Sequence, residues 1–302
     1  MHCLIETLHR HGIQSAHRMA IDPIVDFPID YRLLSELVKV LASDLAGLYN
    51  PARPVAVQLD HGLALALLDL SLIAAGIPQL TISSACSASD AATAMAWSGA
   101  QAVYLNATDM VRLRHAIPMT PMPAGTGRVT FRSIRSRKDK QVCVPLRYLF
   151  EIAASLVDLS EPGHFDRHLA LQPTWMLSEA IAGFYATILA GGTYVMPPAK
   201  RIGLANPNRP DFERMVDSIA EMRITSLVLE PTLLAGLTGV LEARGRRLPM
   251  LARVIVSGGP APRALIERSR TLGLPVRVVE DLARSTWMAA FEDRPEMAEG
   301  RG

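Results

Sequence analysis

The chain has 302 residues, 49% hydrophobic and 20% charged, and its 31 basic and 29 acidic side chains leave a net charge of +2. That length buries a large core, and a high apolar fraction with a low net charge excludes disorder. Three cysteines, Cys3, Cys86 and Cys143, are too few and odd in number for a disulfide scaffold, so free thiols place the expected location in the cytoplasm.

Residues 1–29 are read as an N-terminal extension. The opening MHCLIETLHRHGIQ lacks the apolar core of a signal peptide and carries Glu6 early. Asp30 is placed to cap a helix whose Leu34, Leu37, Val38, Leu41 and Leu45 share one face. A loop at 50–54 leads to a strand at 55–59, an apolar helix at 62–75 and a short strand at 80–82. Ser87, Ser89 and Asp90 offer caps for the next helix, which stops at Ser98-Gly99 before a strand at 102–105. A loop rich in Pro, Met and Gly at 117–127 then divides a first α/β subdomain (30–122) from a second (123–290).

The second half repeats the rhythm, with strand-like stretches at 129–131, 142–144, 169–171, 193–195, 226–229, 254–256 and 276–279. Helix-like stretches lie at 177–189, 211–222, 232–241 and 262–272, and residues 291–302 form a polar, frayed tail. Such alternation predicts an α/β fold of layered, mainly parallel sheets flanked by helices. The strands at 55–59, 102–105 and 254–256 should be central and buried. Two apolar runs, 62–77 and 178–196, contain Asp69 and Glu179, break at glycines, and are short for membrane spans; they read as buried helices.

Candidate chemistry is sparse. His164 and His168 have the i, i+4 spacing of a metal-chelating helix, but Gly163 and the following strand argue against a helix, so no metal site is assigned. Arg132, Arg135, Arg137, Lys138 and Lys140 make a local anion-attracting loop, a candidate contact for an acidic protein partner or a solvated hairpin tip. No aromatic residue is interleaved to stack bases, which argues against nucleic acid. Lysine is scarce throughout, with only Lys39, Lys138, Lys140 and Lys200, and the bias toward arginine is read as codon composition. Ser257-Gly258-Gly259 follows a strand and precedes a helix, where backbone amides are free to meet a ligand.

Taken in order, these pieces resemble the adenylate-forming (AMP-binding) superfamily of acyl-CoA synthetases, peptide-synthetase adenylation domains and luciferases. VAVQLDHGLALALLDLSLIAAGIP at 55–78 is similar to that family's first strand, helix and "AG" turn, and Ser98-Gly99-Ala100 to its "SGA" turn. Pro173-Thr174-Trp175-Met176 with the helix to Leu189-Ala190-Gly191-Gly192-Thr193 resembles "PLFH … LLAGAT". Thr225 with Pro231-Thr232-Leu233-Leu234 resembles "VT … PTLL", Ser257-Gly258-Gly259 the "SGG" adenine-contacting turn, and residues 281–287 the "YGxTE" segment. The resemblance spans roughly residues 30–290.

It implies nucleotide-binding remnants at Ser133, Lys140, Gly258, Gly259, Ser285 and Thr286, and an apolar acyl pocket near Trp175, Met176 and Ser257. The departures fall on the chemistry. Where the family's phosphate loop reads TSGTTGxPKG, this sequence reads RSIRSRKDKQ, with Ile134, Arg137 and Gln141 in place of glycines. Ala283, Arg284 and Trp287 replace the family's Tyr, Gly and magnesium-holding Glu, and Met176 replaces its His or aromatic gate. The last subdomain and the C-terminal lid with its catalytic Lys lie farther on in the family, and the expected fold lacks them.

The expected function is therefore that of an acyl-CoA synthetase-like protein acting as a non-catalytic binding or interaction module, with no catalytic residue assigned. Its expected ligand is a carboxylic acid or acyl-adenylate-like small molecule. The alternative is an active ligase for a fatty or aromatic acid, using ATP and magnesium and a separately encoded lid.

Overall fold

The computed structural model describes residues 4–106, 110–113, 122–131, 141–206 and 208–278. The chain opens with α1 (Leu4–Gln14), β1 (Met19–Asp22) and the short β2 (Ile29–Asp30). Next come α2 (Tyr31–Leu48), β3 (Val55–Val57), α3 (Leu63–Ala74), β4 (Gln79–Thr81), α4 (Ala88–Ser98), β5 (Ala102–Tyr104) and β6 (Met110–Arg112). A hairpin of β7 (Thr126–Phe131) and β8 (Gln141–Pro145) leads into α5 (Leu146–Asp158) and β9 (Arg167–Leu169). A π-helical segment (Glu179–Tyr185) runs into α6 (Ala186–Leu189) and β10 (Thr193–Val195). The remainder is α7 (Phe212–Glu221), β11 (Ser226–Leu229), α8 (Pro231–Arg244), β12 (Arg253–Val256), α9 (Arg263–Thr271) and β13 (Val276–Val278).

The local chemistry accounts for the boundaries. The Asp30 carboxylate accepts a hydrogen bond from the Leu33 amide at 2.7 Å and starts α2. Ser87 Oγ accepts from the Asp90 amide at 3.1 Å and starts α4, which ends on Gly99 in the left-handed region (φ +66°).

Two sheets carry the fold, and both are mainly parallel. The first runs β6-β5-β3-β4-β7-β8, with only its edge strands β6 and β8 antiparallel. The second runs β13-β12-β11-β9-β10-β1-β2, with only β2 antiparallel. Helices from both units meet in one buried cluster, where Leu8 of α1, Leu34 of α2, Leu70 of α3, Leu149 of α5 and Phe184 touch. Each such side chain contributes about 1.5–3 kcal/mol by leaving water.

The strand pairing differs from the sequence expectation in three places. The N-terminal extension supplies β1, an interior strand of the second sheet. The loop at 117–127 does not separate the sheets, because β7 and β8 complete the first one. Strands β5 and β12 are buried as expected but lie one place in from an edge; β3 is the central one. No helix among the described residues is long and apolar enough to cross a membrane.

Candidate functional site

The carboxyl ends of strands from both sheets converge on a cavity of about 470 Å³. Thr81 and Phe131 close β4 and β7 of the first sheet, while Ser257 follows β12 and the segment 175–178 follows β9 of the second. Ligands of wound α/β sheets collect at such strand ends. Trp175, Met176, Leu177, Phe131 and Ile82 supply apolar wall, and hydroxyls of Thr81, Ser83, Thr130, Ser178 and Ser257 supply polar groups. Among the described residues, no charged side chain lines the cavity. Trp175, Met176 and Ser257, singled out from sequence, thus share one site.

Behind this wall lies a buried ion pair. Arg128 of β7 and Asp69 of α3 are each about 1% exposed. Arg128 Nη2 donates to both Asp69 oxygens at 2.7 Å, and the Tyr185 hydroxyl donates to the same carboxylate at 2.9 Å. Arg128 Nη1 donates to the Thr174 carbonyl at 2.9 Å, fixing the backbone next to Trp175. Burial pushes the Asp69 carboxyl up against the opposing pull of Arg128. Burial also works against the Arg128 charge, but Asp69 and Tyr185 beside it raise its pKa overall.

A second buried cluster ties the π-helical segment to the sheet. His168 Nε2 lies 3.0 Å from Glu179 Oε1, and His168 Nδ1 lies 2.9 Å from Ser226 Oγ. The Tyr194 hydroxyl donates to Glu179 Oε1 at 2.8 Å. Burial, then Glu179, push the Tyr194 phenol well above its ordinary value. Gly183 leaves room for this cluster: a Cβ there would sit 2.4 Å from Glu179 Oε1 and 2.6 Å from His168 Nε2. Gly183→Ala should therefore cost about 1–3 kcal/mol of unfolding free energy, seen as a lower urea midpoint; an unmoved midpoint would show that the cluster yields freely.

His61, between β3 and α3, has both ring nitrogens shielded and without hydrogen-bond partners. Burial holds its pKa below the ordinary 6.5, with Glu179 opposing. The unfolded chain takes up a proton that the folded chain resists, so stability is present above about pH 6.5 and is lost as pH falls below it. His61→Leu should flatten the fall in unfolding free energy below pH 6.5, by up to about 1.4 kcal/mol per pH unit. A titration of stability by urea unfolding reads this, and an unchanged slope assigns the proton uptake elsewhere.

Gly258 and Gly259 lie in the turn after β12; Gly258 has φ +92°, and a Cβ there would meet Glu230 Cγ at 3.0 Å. The segment 132–140, with Ser133 and Lys140, and the segment 279–302, with Ser285 and Thr286, lie outside the described residues. His164 and His168 do not form a helical pair: His164 lies 3.8 Å from Glu161, whereas His168 belongs to β9. Among the described residues, no group of three or more His, Cys, Asp and Glu side chains is placed to hold a metal ion.

Sequence reasoning missed Arg128, His168, Glu179 and Tyr185 as a supporting framework. The available signal was a charge inside an apolar run, at Asp69 and at Glu179, because a buried charge requires a partner.

No protein-family model matches the sequence. A long-chain-fatty-acid–CoA ligase from Thermus thermophilus is 33% identical over 129 residues, which is 43% of this chain and 22% of that protein. A nonribosomal peptide synthetase in its AMPPNP-bound form superposes with a TM-score of 0.74 at 22% identity, over 91% of this chain and 31% of the synthetase. O-succinylbenzoate coenzyme A synthetase from Bacillus subtilis in complex with AMP gives 0.67 at 18% identity, over 89% of this chain and 71% of that one. The N-terminal subdomain of Klebsiella oxytoca NpsA in complex with 3-hydroxybenzoyl-AMSN gives 0.69 at 16% identity, over 92% and 71%. The chain thus spans less than a third of the ligase and of the peptide synthetase. It resembles the adenylate-forming (AMP-binding) superfamily in sequence, and its fold is that of the large N-terminal domain of those enzymes.

Proposed function

We propose that this acyl-CoA synthetase-like protein binds a carboxylic acid or an acyl-adenylate-like small molecule without forming the adenylate itself. The observation that carries the reading is the 470 Å³ cavity on which Trp175, Met176 and Ser257 converge at the strand ends. Its apolar walls and hydroxyl groups suit a fatty or aromatic acid better than a charged amino acid. Adenylation requires the carboxylate and α-phosphate held in line while charge on the departing pyrophosphate is stabilised. Glycines let backbone amides converge on phosphate, and Ile134, Arg137 and Gln141 replace them here. The family's magnesium-holding Glu is replaced by Trp287, so no step is assigned to a metal. Among the described residues Cys143 keeps a free thiol, in keeping with a cytoplasmic protein.

A thermal-shift screen against ATP, AMP, fatty and aromatic acids and acyl-adenylate analogues tests the reading, since a ligand that binds only the folded state raises its stability. An acid or adenylate analogue should raise the melting temperature, and Trp175→Ala should weaken that ligand about 10–100-fold, roughly 1.4–2.8 kcal/mol. A panel in which no acid or adenylate analogue shifts the protein, or in which Trp175→Ala leaves affinity intact, would overturn it.

A further inference from the structure

A second cavity, of about 780 Å³, opens at the opposite, amino-terminal ends of the strands. The four-residue strand β12 spans the distance between the two: Arg253 at its start lines this cavity, and Ser257 just past its end lines the other. Leu156, Leu159, Leu274 and Pro275 give this second cavity an apolar wall. Arg253, Arg270 and Arg277 line it together with His164, and among the described residues no Asp or Glu lines it.

Arg253 is the unusual member. It is 5% exposed, and its Nη1 is buried without a hydrogen-bond partner. Its guanidinium packs 4.3 Å from the centre of the Phe165 ring, which offsets only part of the cost of taking a cation out of water. Burial and then the nearby Arg277 charge pull its pKa down to about 9. Arg270 is held in place by the Val276 carbonyl, which accepts from Nη2 at 2.9 Å and from Nε at 3.3 Å. An apolar residue at the head of β12 would be the more stable choice for a buried strand, yet three arginines meet here, with no acid among the described lining residues.

We propose that this cavity binds a small phosphate monoester, its oxyanion taken by Arg253, Arg270 and Arg277 and its apolar part lying on Leu156, Leu159, Leu274 and Pro275. Guanidinium forks match phosphate oxygens bidentately, and a bound dianion would supply the missing counter-charge. The site is independent of the acyl cavity and does not rest on the proposed function.

The test uses phenyl phosphate, inorganic phosphate and neutral phenol as probes, by calorimetry and thermal shift in a low-salt, phosphate-free buffer. Phenyl phosphate should bind, inorganic phosphate should bind more weakly, and phenol should leave the melting temperature unchanged. Arg253→Met should melt no lower than the parent without ligand, because an unpaired buried cation is gone, and should lose at least about tenfold in phenyl phosphate affinity. Arg277→Gln, at an exposed position that leaves folding undisturbed, should weaken the ester severalfold. No phosphate-dependent shift in the parent protein would overturn the proposal. So would binding undiminished in the foldable variants, since the anion would then sit elsewhere.

Discussion

Arg128→Met should lower the unfolding free energy by about 3–5 kcal/mol, the usual cost of stranding one partner of a buried ion pair. Asp69 would be left with only the Tyr185 hydroxyl in a site about 1% exposed to water. The double variant Asp69→Leu with Arg128→Met removes both charges, and should recover most of the loss, because apolar residues of similar size pack well where a buried pair stood. Urea unfolding of the two proteins gives the comparison; a single variant as stable as the parent would show that water reaches the carboxylate. The double variant should also bind cavity ligands less well than the parent, since it lacks the bond from Arg128 Nη1 to the Thr174 carbonyl that sets the backbone beside Trp175.

The second large effect concerns nucleotide. Mg-ATP should bind more weakly than about 1 µM, roughly −8 kcal/mol, and pyrophosphate exchange over a panel of fatty and aromatic acids should not exceed a heat-killed control. A phosphate loop works by bringing backbone amides to the phosphate oxygens, and branched or long side chains at Ile134, Arg137 and Gln141 are expected to obstruct that approach. Gln141 is moreover committed to the hairpin: it opens β8, pairs with Phe131, and its Nε2 lies 3.3 Å from Cys143 Sγ. Returning the three positions to glycine should tighten Mg-ATP by tenfold or more, about 1.4 kcal/mol. Exchange well above control, abolished by Lys140→Ala, would instead make the protein an adenylating ligase with an altered loop.

Much of the fold is legible in the sequence because its signals are local. The caps at Asp30 and Ser87, the stop at Gly99 and the apolar runs that become β3, β11 and β12 each depend on a few neighbouring residues. What the sequence hides depends on distant ones. Met19–Asp22 is a four-residue stretch with no pattern of its own, and it is a strand because β10 pairs with it. The stretch 177–189 reads as an ordinary helix, but the segment Glu179–Tyr185 is wound wider; its Glu179 meets His168 and Tyr194 from two separate strands. In the candidate site, the family likeness pointed to Trp175, Met176 and Ser257. The Arg128 that fixes the backbone beside Trp175 lies 46 residues from Thr174 and 59 from Asp69, at no spacing a motif could announce.

The place of β1 also bears on how the chain is made. On the ribosome, all strands of the first sheet have emerged once β8 is out, so that sheet can assemble from a contiguous stretch of nascent chain. The second sheet cannot. Its earliest strand has one edge against β2 and keeps the other open until β10 arrives, the Thr193 hydroxyl bonding to the Met19 carbonyl across 174 residues. At about 5–20 residues per second, that edge waits roughly 9–35 s, longer than most domains take to fold. An open strand edge is a template for stray pairing throughout that interval, and α2, which packs on both β1 and β2, is the element positioned to hold the waiting strand near its own chain.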